Sequence, residues 1–217
     1  MTPLKGITTA LGLLTTLSLS VEATVLPIDN LLINGGFESS SVTDGTWQYY
    51  TDTHNAGSPV EGWSYDGSGM EIWDSLLGVV ADEGEQLAEL NAHGANGSPY
   101  SFWQEFDTIE GQTYNYGFAY RARQHDSEAF YAGIEGIINT LFEDHTKNGW
   151  SFFSGSFVAG AGTSSTLRFT SDDNQGDTTG NLLDSAYVVS VPEPGSLALL
   201  GLGLLGLGYA RRKQSAA

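Results

Sequence analysis

No cysteine occurs in the 217 residues, so a disulfide framework, a thiolate metal site and a Cys nucleophile are all excluded. Positive charge is nearly as scarce. Eight Lys and Arg stand against 26 Asp and Glu, a net charge of −18. Between residues 24 and 190 only Arg121, Arg123, Lys147 and Arg168 are cationic against 24 acids, so that stretch alone carries −20. A nucleic-acid partner is excluded, because phosphate binding needs a basic surface, and an anionic membrane surface is equally unsuited. The carboxylate surplus does suit Ca²⁺, which takes carboxylate and carbonyl oxygens. Catalytic spacings are missing as well. His54, His93, His125 and His145 stand too far apart for a zinc motif. Gly62-Trp63-Ser64-Tyr65-Asp66 and Gly149-Trp150-Ser151-Phe152-Phe153 both lack the second glycine of a serine-hydrolase elbow. A glycosidase needs two carboxylates across a cleft, and 24 acids offer too many pairs for the sequence to choose one.

Long apolar runs occur only at the two ends. Lys5, the uncharged stretch from Ile7 to Leu19 and the small-x-small sequence Val21-Glu22-Ala23 read as a signal peptide over 1–23, cut after Ala23. The alternative, a buried N-terminal helix, would want an amphipathic pattern that is not there. At the other end Gly195 to Ala210 is apolar, and Arg211-Arg212-Lys213 follows at once. Gly201, Gly203, Gly206 and Gly208 make this run a poor helix for a soluble core. It can cross a thin membrane with the basic cluster held on the cytoplasmic side.

The body, 24–190, shows short alternating runs between Gly, Ser, Asp and Asn clusters, the pattern of an all-β domain. In Tyr114 to Arg121 the residues Tyr114, Tyr116, Phe118 and Tyr120 point one way, into a core, and Arg121 points the other. Further strands are expected over Glu85–Asn91, Ser101–Phe106, Ala129–Ile134, Trp150–Val158, Ser165–Thr170 and Ser185–Val191, although Leu87–Leu90 also suits a helical turn. Asn91–Pro99 and Ser171–Asp177 read as loops; the second fails the EF-hand pattern. Seven or eight strands suggest a two-sheet β-sandwich, a jelly roll.

Two resemblances arise from these residues. Val191-Pro192-Glu193-Pro194-Gly195, the apolar run and Arg211-Arg212-Lys213 resemble, in order, the PEP-CTERM sorting signal of Gram-negative bacteria. That resemblance implies Pro192, Glu193, Pro194, Arg211 and Arg212 as the sorting motif over 191–217, and transient insertion of the apolar helix in the inner membrane. It also implies processing by an exosortase and delivery to the cell surface or extracellular matrix. A plain C-terminal anchor is the alternative. The body resembles galactose-binding-like jelly rolls, a fold shared by several carbohydrate-binding modules. Leu32-Ile33-Asn34-Gly35-Gly36-Phe37-Glu38 is similar to their opening strand, Met70-Glu71-Ile72-Trp73 and Gly84 to Asn91 to later strands, Phe102-Trp103-Gln104 and Gly111 to Tyr114 to a hairpin, and Gly180 to Val188 to the closing strand. The resemblance implies a structural Ca²⁺ at Glu38 and Asp184, with solvated carboxylates as the alternative.

Aromatic faces stack on sugar rings. Trp47 and Tyr49 fall in the aromatic run Thr46-Trp47-Gln48-Tyr49-Tyr50, expected in a loop, and are the ligand candidates among residues whose default is core packing. Trp63 and Trp150 occupy positions expected to pack. Arg121 and Arg123 share a strand face and either hydrogen-bond a sugar or pair with acids. Three readings of function follow: a non-catalytic module that holds a polysaccharide, such as an exopolysaccharide of the matrix; a structural surface or biofilm protein; and a small secreted glycan-active enzyme.

Overall fold

The computed structural model describes residues 26–51, 60–66, 69–90, 100–124, 128–143, 147–172 and 179–192. The signal segment with Ala23, the loops 91–99 and 173–177, Glu193, Pro194, the apolar run, Arg211 and Arg212 lie outside them. Among the described residues no helix is long and apolar enough to cross a membrane.

Eleven strands are described: β1 Thr46–Tyr50, β2 Ser64–Tyr65, β3 Met70–Asp74, β4 Gln86–Glu89, β5 Ser101–Asp107, β6 Thr113–Ala122, β7 Phe130–Ile134, β8 Thr140–Phe142, β9 Ser151–Val158, β10 Ser164–Ser171 and β11 Asn181–Ser190. They form two antiparallel sheets, one of six strands in the order β1-β3-β4-β11-β6-β9, the other of five in the order β2-β5-β10-β7-β8. Most sheet neighbours are distant in sequence. The molecule is a β-sandwich jelly roll, the architecture expected from the short alternating runs.

The two inner faces enclose an aromatic core. β6 illustrates how alternation builds it. Tyr114, Tyr116 and Phe118 are buried inward and Tyr120 packs beside them. Phe118 meets Phe169 of the opposite sheet edge-on at 5.0 Å and Phe142 at 5.3 Å. Such edge-to-face pairs add about 0.5–1.5 kcal/mol each beyond their buried area. Trp63 is buried against Phe37, Phe102 and Phe169, as its sequence position suggests.

Two expectations need correction and two are met in detail. Trp47 and Tyr49 lie not in a loop but on β1, because the backbone of Thr46–Tyr50 pairs in register with Asp74–Met70. Leu87 to Glu89 is strand, as expected over Glu85–Asn91, clamped between β3 and β11, and the helical-turn alternative falls away. The closing strand begins at Asn181, four residues earlier than expected, because a bulge between Asp184 and Tyr187 hides the continuity of its pattern. Ser185 takes a positive φ of 51° there, and the extra residue swings Ala186 and Val188 into the core. Trp150 does not join the main core. It packs with Trp73, Val79, Leu87 and Leu182 in a second apolar cluster on the outer face of the six-stranded sheet. Its indole Nε1 donates to the Val80 carbonyl at 3.0 Å, which ties the 79–83 segment over that face.

Candidate functional site

Strand register settles which side chains share the outer face of the six-stranded sheet. Ile72, Ala88 and Leu183 are core residues, so their neighbours Glu71, Trp73, Leu87, Glu89 and Leu182 point outward. One row runs Trp47, Trp73, Leu87 across β1, β3 and β4. The next runs Tyr49, Glu71, Glu89, Leu182, Arg121 across β1, β3, β4, β11 and β6. Tyr49 and Arg121 are four strand spacings apart, ~19 Å at about 4.8 Å per strand. All four sequence-derived ligand candidates, Trp47, Tyr49, Arg121 and Arg123, therefore lie on one face of one sheet.

Trp47 is 38% exposed and stands 6.3 Å from the Tyr49 ring. Both sit on an edge strand, where a ring keeps one side to solvent. The two arginines differ. Arg123 lies 4.9 Å over the Trp73 ring and bonds Glu89 Oε1 at 2.8 Å. Arg121 donates to the Lys147 carbonyl and stands 5.8 Å from the Trp150 ring. Pairing with acids, one alternative in the sequence, holds for Arg123, but its partner is a buried carboxylate rather than a surface one.

Sequence reasoning missed Glu71 and Glu89 as members of this face. Glu71 and Glu89 oppose each other directly across β3 and β4. Glu71 Oε1 accepts the Trp73 indole N–H at 2.7 Å. Glu89 is fully buried; its Oε1 also accepts the Gly180 N–H at 3.0 Å, while no donor among the described residues reaches Oε2. Burial and then the Glu71 carboxylate push the Glu89 carboxyl well above the usual carboxylate range, with Arg123 and the Gly180 N–H pulling the other way. The pattern Glu-x-Trp in β3 and Leu-x-Glu in β4 is the signal that could have flagged them, since each puts an acid beside an apolar residue on one strand face.

Glu38 and Asp184 are brought to one turn, residues 82–86. Asp184 Oδ2 accepts the N–H groups of Asp82 at 2.7 Å and Glu83 at 3.0 Å; Glu38 Oε1 accepts those of Glu85 at 2.8 Å and Gln86 at 2.7 Å. Asp82 closes the set by accepting the Ser185 hydroxyl at 2.6 Å. Gly84, at φ 64°, leaves no room for a Cβ, which would strike Glu38 Oε1. Burial raises the carboxyl of Asp184 well above its usual range and raises those of Glu38 and Glu83, and Asp82 adds repulsion at Glu83. Neither ion pair among the described residues involves these acids. The described residues hold no cage of three or more acidic or histidine side chains of metal-binding geometry. The donor set fits a hard cation only if carbonyls or solvent complete its shell.

A jelly-roll sandwich with aromatic and arginine side chains spread over one sheet face defines the class of domain. The same fold occurs in a family 16 carbohydrate-binding module, with TM-score 0.50 and 14% identity over 74% of this chain and 99% of that one. It occurs also in an arabinose-bound family 51 α-L-arabinofuranosidase, with TM-score 0.52 and 15% identity over 75% of this chain but 26% of the enzyme. A family 61 module solved with β-1,4-galactotriose is similar at TM-score 0.47 and 16% identity, over 75% of this chain and 99% of the module. The tail is more particular. Residues 190–213 match the PEP-CTERM protein-sorting motif. No curated protein sequence matches the chain significantly.

Proposed function

We propose that the chain is an exported surface protein whose jelly roll binds polysaccharide without catalysis, across the outer face of the six-stranded sheet. The observation that carries this reading is the convergence of Trp47, Tyr49, Arg121 and Arg123 on that face. Trp47 and Tyr49 supply an aromatic edge for the apolar face of a sugar ring. Arg121 and Arg123 supply donors for hydroxyls, Arg123 pre-oriented by Glu89 and Trp73. Between these two ends, ~19 Å apart, Trp73, Leu87, Glu89 and Leu182 are buried beneath Trp150 and the 79–83 segment, so a glycan chain would meet the aromatic edge and the arginine end rather than the centre of the sheet. The sorting tail supports export, with an exosortase as the processing partner and the cell surface or matrix as destination. A Ca²⁺ ion at the 82–86 turn, held through Glu38 and Asp184, would lower the repulsion crowded there.

A glycan array probed with the full chain, with and without Ca²⁺, tests the reading. Binding to a polysaccharide that Trp47→Ala weakens by roughly ten- to a hundredfold is expected, from the 1–3 kcal/mol typical of aromatic stacking. An array silent in both conditions would leave a structural surface protein as the better account.

A further inference from the structure

The opposite side of the sandwich carries a cavity that the proposed glycan face does not use. It lies on the outer face of the five-stranded sheet and has a volume of about 390 Å³, within the range of about 300–1,000 Å³ typical of small-ligand sites. Tyr131 and Gly133 of β7 and Arg168 and Thr170 of β10 form its floor, and the turn from Glu135 to Asn139 forms its wall. The sequence builds this shape at Gly133. The N–H groups of Ile137 and Ile138 both donate to the Ile134 carbonyl at 2.9 Å, so the turn folds back onto its own strand. A Cβ at position 133 would collide with the Ile138 carbonyl.

Arg168 is fixed inside this cavity. Its guanidinium lies 4.0 Å over the Trp103 ring, its cross-strand neighbour, and Nη2 stands 3.5 Å from Glu135 Oε2. Stacking and pairing hold a long, flexible side chain in one orientation, with part of its fork facing the cavity. The site thus offers cationic donors beside an anionic acceptor, with the Thr170 hydroxyl and Asn139 amide nearby and the Tyr131 ring and Ile137 as apolar lining.

We propose that this cavity is a second saccharide site, selective for neutral sugars. A vicinal diol presents each hydroxyl as donor and acceptor at once, which matches a guanidinium and a carboxylate side by side. The C–H face of the pyranose matches Tyr131 and Ile137. A uronate gains little, because Glu135 stands beside Arg168 and the surrounding body is strongly acidic. With glycan also held on the opposite sheet, the domain would bridge two polysaccharide chains. The site itself stands on separate residues and does not require the first face to bind.

The test uses the full chain, labelled with 5-fluorotryptophan, in a sugar-free detergent and in the Trp47→Ala background. The Trp103 ¹⁹F resonance, assigned through Trp103→Phe, is followed while xylohexaose, cellohexaose or β-1,4-galactotriose is added to millimolar concentration, with trigalacturonate as the acidic control. At least one neutral probe is expected to move it in a saturable way, and trigalacturonate to leave it unmoved. Arg168→Gln and Glu135→Gln, each at a part-exposed position, are each expected to weaken that titration about tenfold, the loss of one charge-assisted hydrogen bond. A resonance unmoved by all three neutral probes, a titration that survives both substitutions, or a response to trigalacturonate equal to the neutral ones overturns the proposal. Because Trp47 is already removed, failure at Trp103 leaves the reading of the six-stranded face untouched, and failure of that face leaves this one standing.

Discussion

Trp47 and Trp63 show how one residue type occupies two environments. Trp63 is 5% exposed inside the aromatic core, and Trp63→Ala is expected to cost about 3–5 kcal/mol of stability. Trp47 is 38% exposed on an edge strand, so Trp47→Ala should reduce glycan binding and shift the melting temperature little. Denaturation and binding assays on the two variants check this, and a collapse of the fold at Trp47 would assign that ring to packing instead. Glu89 makes a second residue-scale prediction. Its folded pKa lies above the unfolded value because burial and Glu71 oppose its charge, against Arg123 and the Gly180 N–H. A carboxyl raised on folding binds more protons in the folded state, so stability is greatest below the unfolded pKa and falls as pH rises through the folded one. Glu89→Gln keeps an acceptor for Arg123 and Gly180 and offers Glu71 a donor. It should raise the melting temperature at about pH 8, flatten the pH dependence and change little at about pH 4. A variant with the same pH slope as the parent would show that Glu89 does not titrate in this way.

At the scale of elements, the 82–86 turn is joined to both ends of the body, through Glu38 near its start and Asp184 near its end. Ca²⁺ bound only by the folded state should add about 2.7 kcal/mol at a hundred times Kd, a rise of roughly 5–11 °C in a domain of this size. Melting in EDTA and in Ca²⁺ reads it directly. Equal melting temperatures, or a Ca²⁺ shift that persists in Asp184→Ala, would leave the two carboxylates as caps for the turn's N–H groups and nothing more. The strands themselves were legible unevenly. β6 stands out because the alternation from Tyr114 to Arg121 needs no partner to be recognised. β2 and β8, two and three residues long, have too little pattern of their own; pairing with β5 and β7 makes them strands. β11 is obscured by its bulge, since one added residue inverts the alternation halfway along.

At the scale of the whole molecule, the tail that matches the PEP-CTERM sorting motif carries its own prediction. Changing Pro192, Glu193 and Pro194 together to Ala should leave unprocessed protein in the inner membrane, seen by fractionation and immunoblot. Normal release of the triple variant would refute the sorting reading. The amino-acid sequence alone determines the absence of disulfides, the acidic body, the apolar ends and the alternating strands, because composition and local periodicity are properties of neighbours along the chain. It also nominates Trp47, Tyr49, Arg121 and Arg123 one by one. That these four share a face, that Glu71 meets Glu89 beneath Arg123, and that Arg168, Trp103 and Glu135 come together on the other side were decided only by the tertiary structure. Those meetings depend on the register between strands separated by tens of residues, and a shift of one residue would send each side chain to the opposite face.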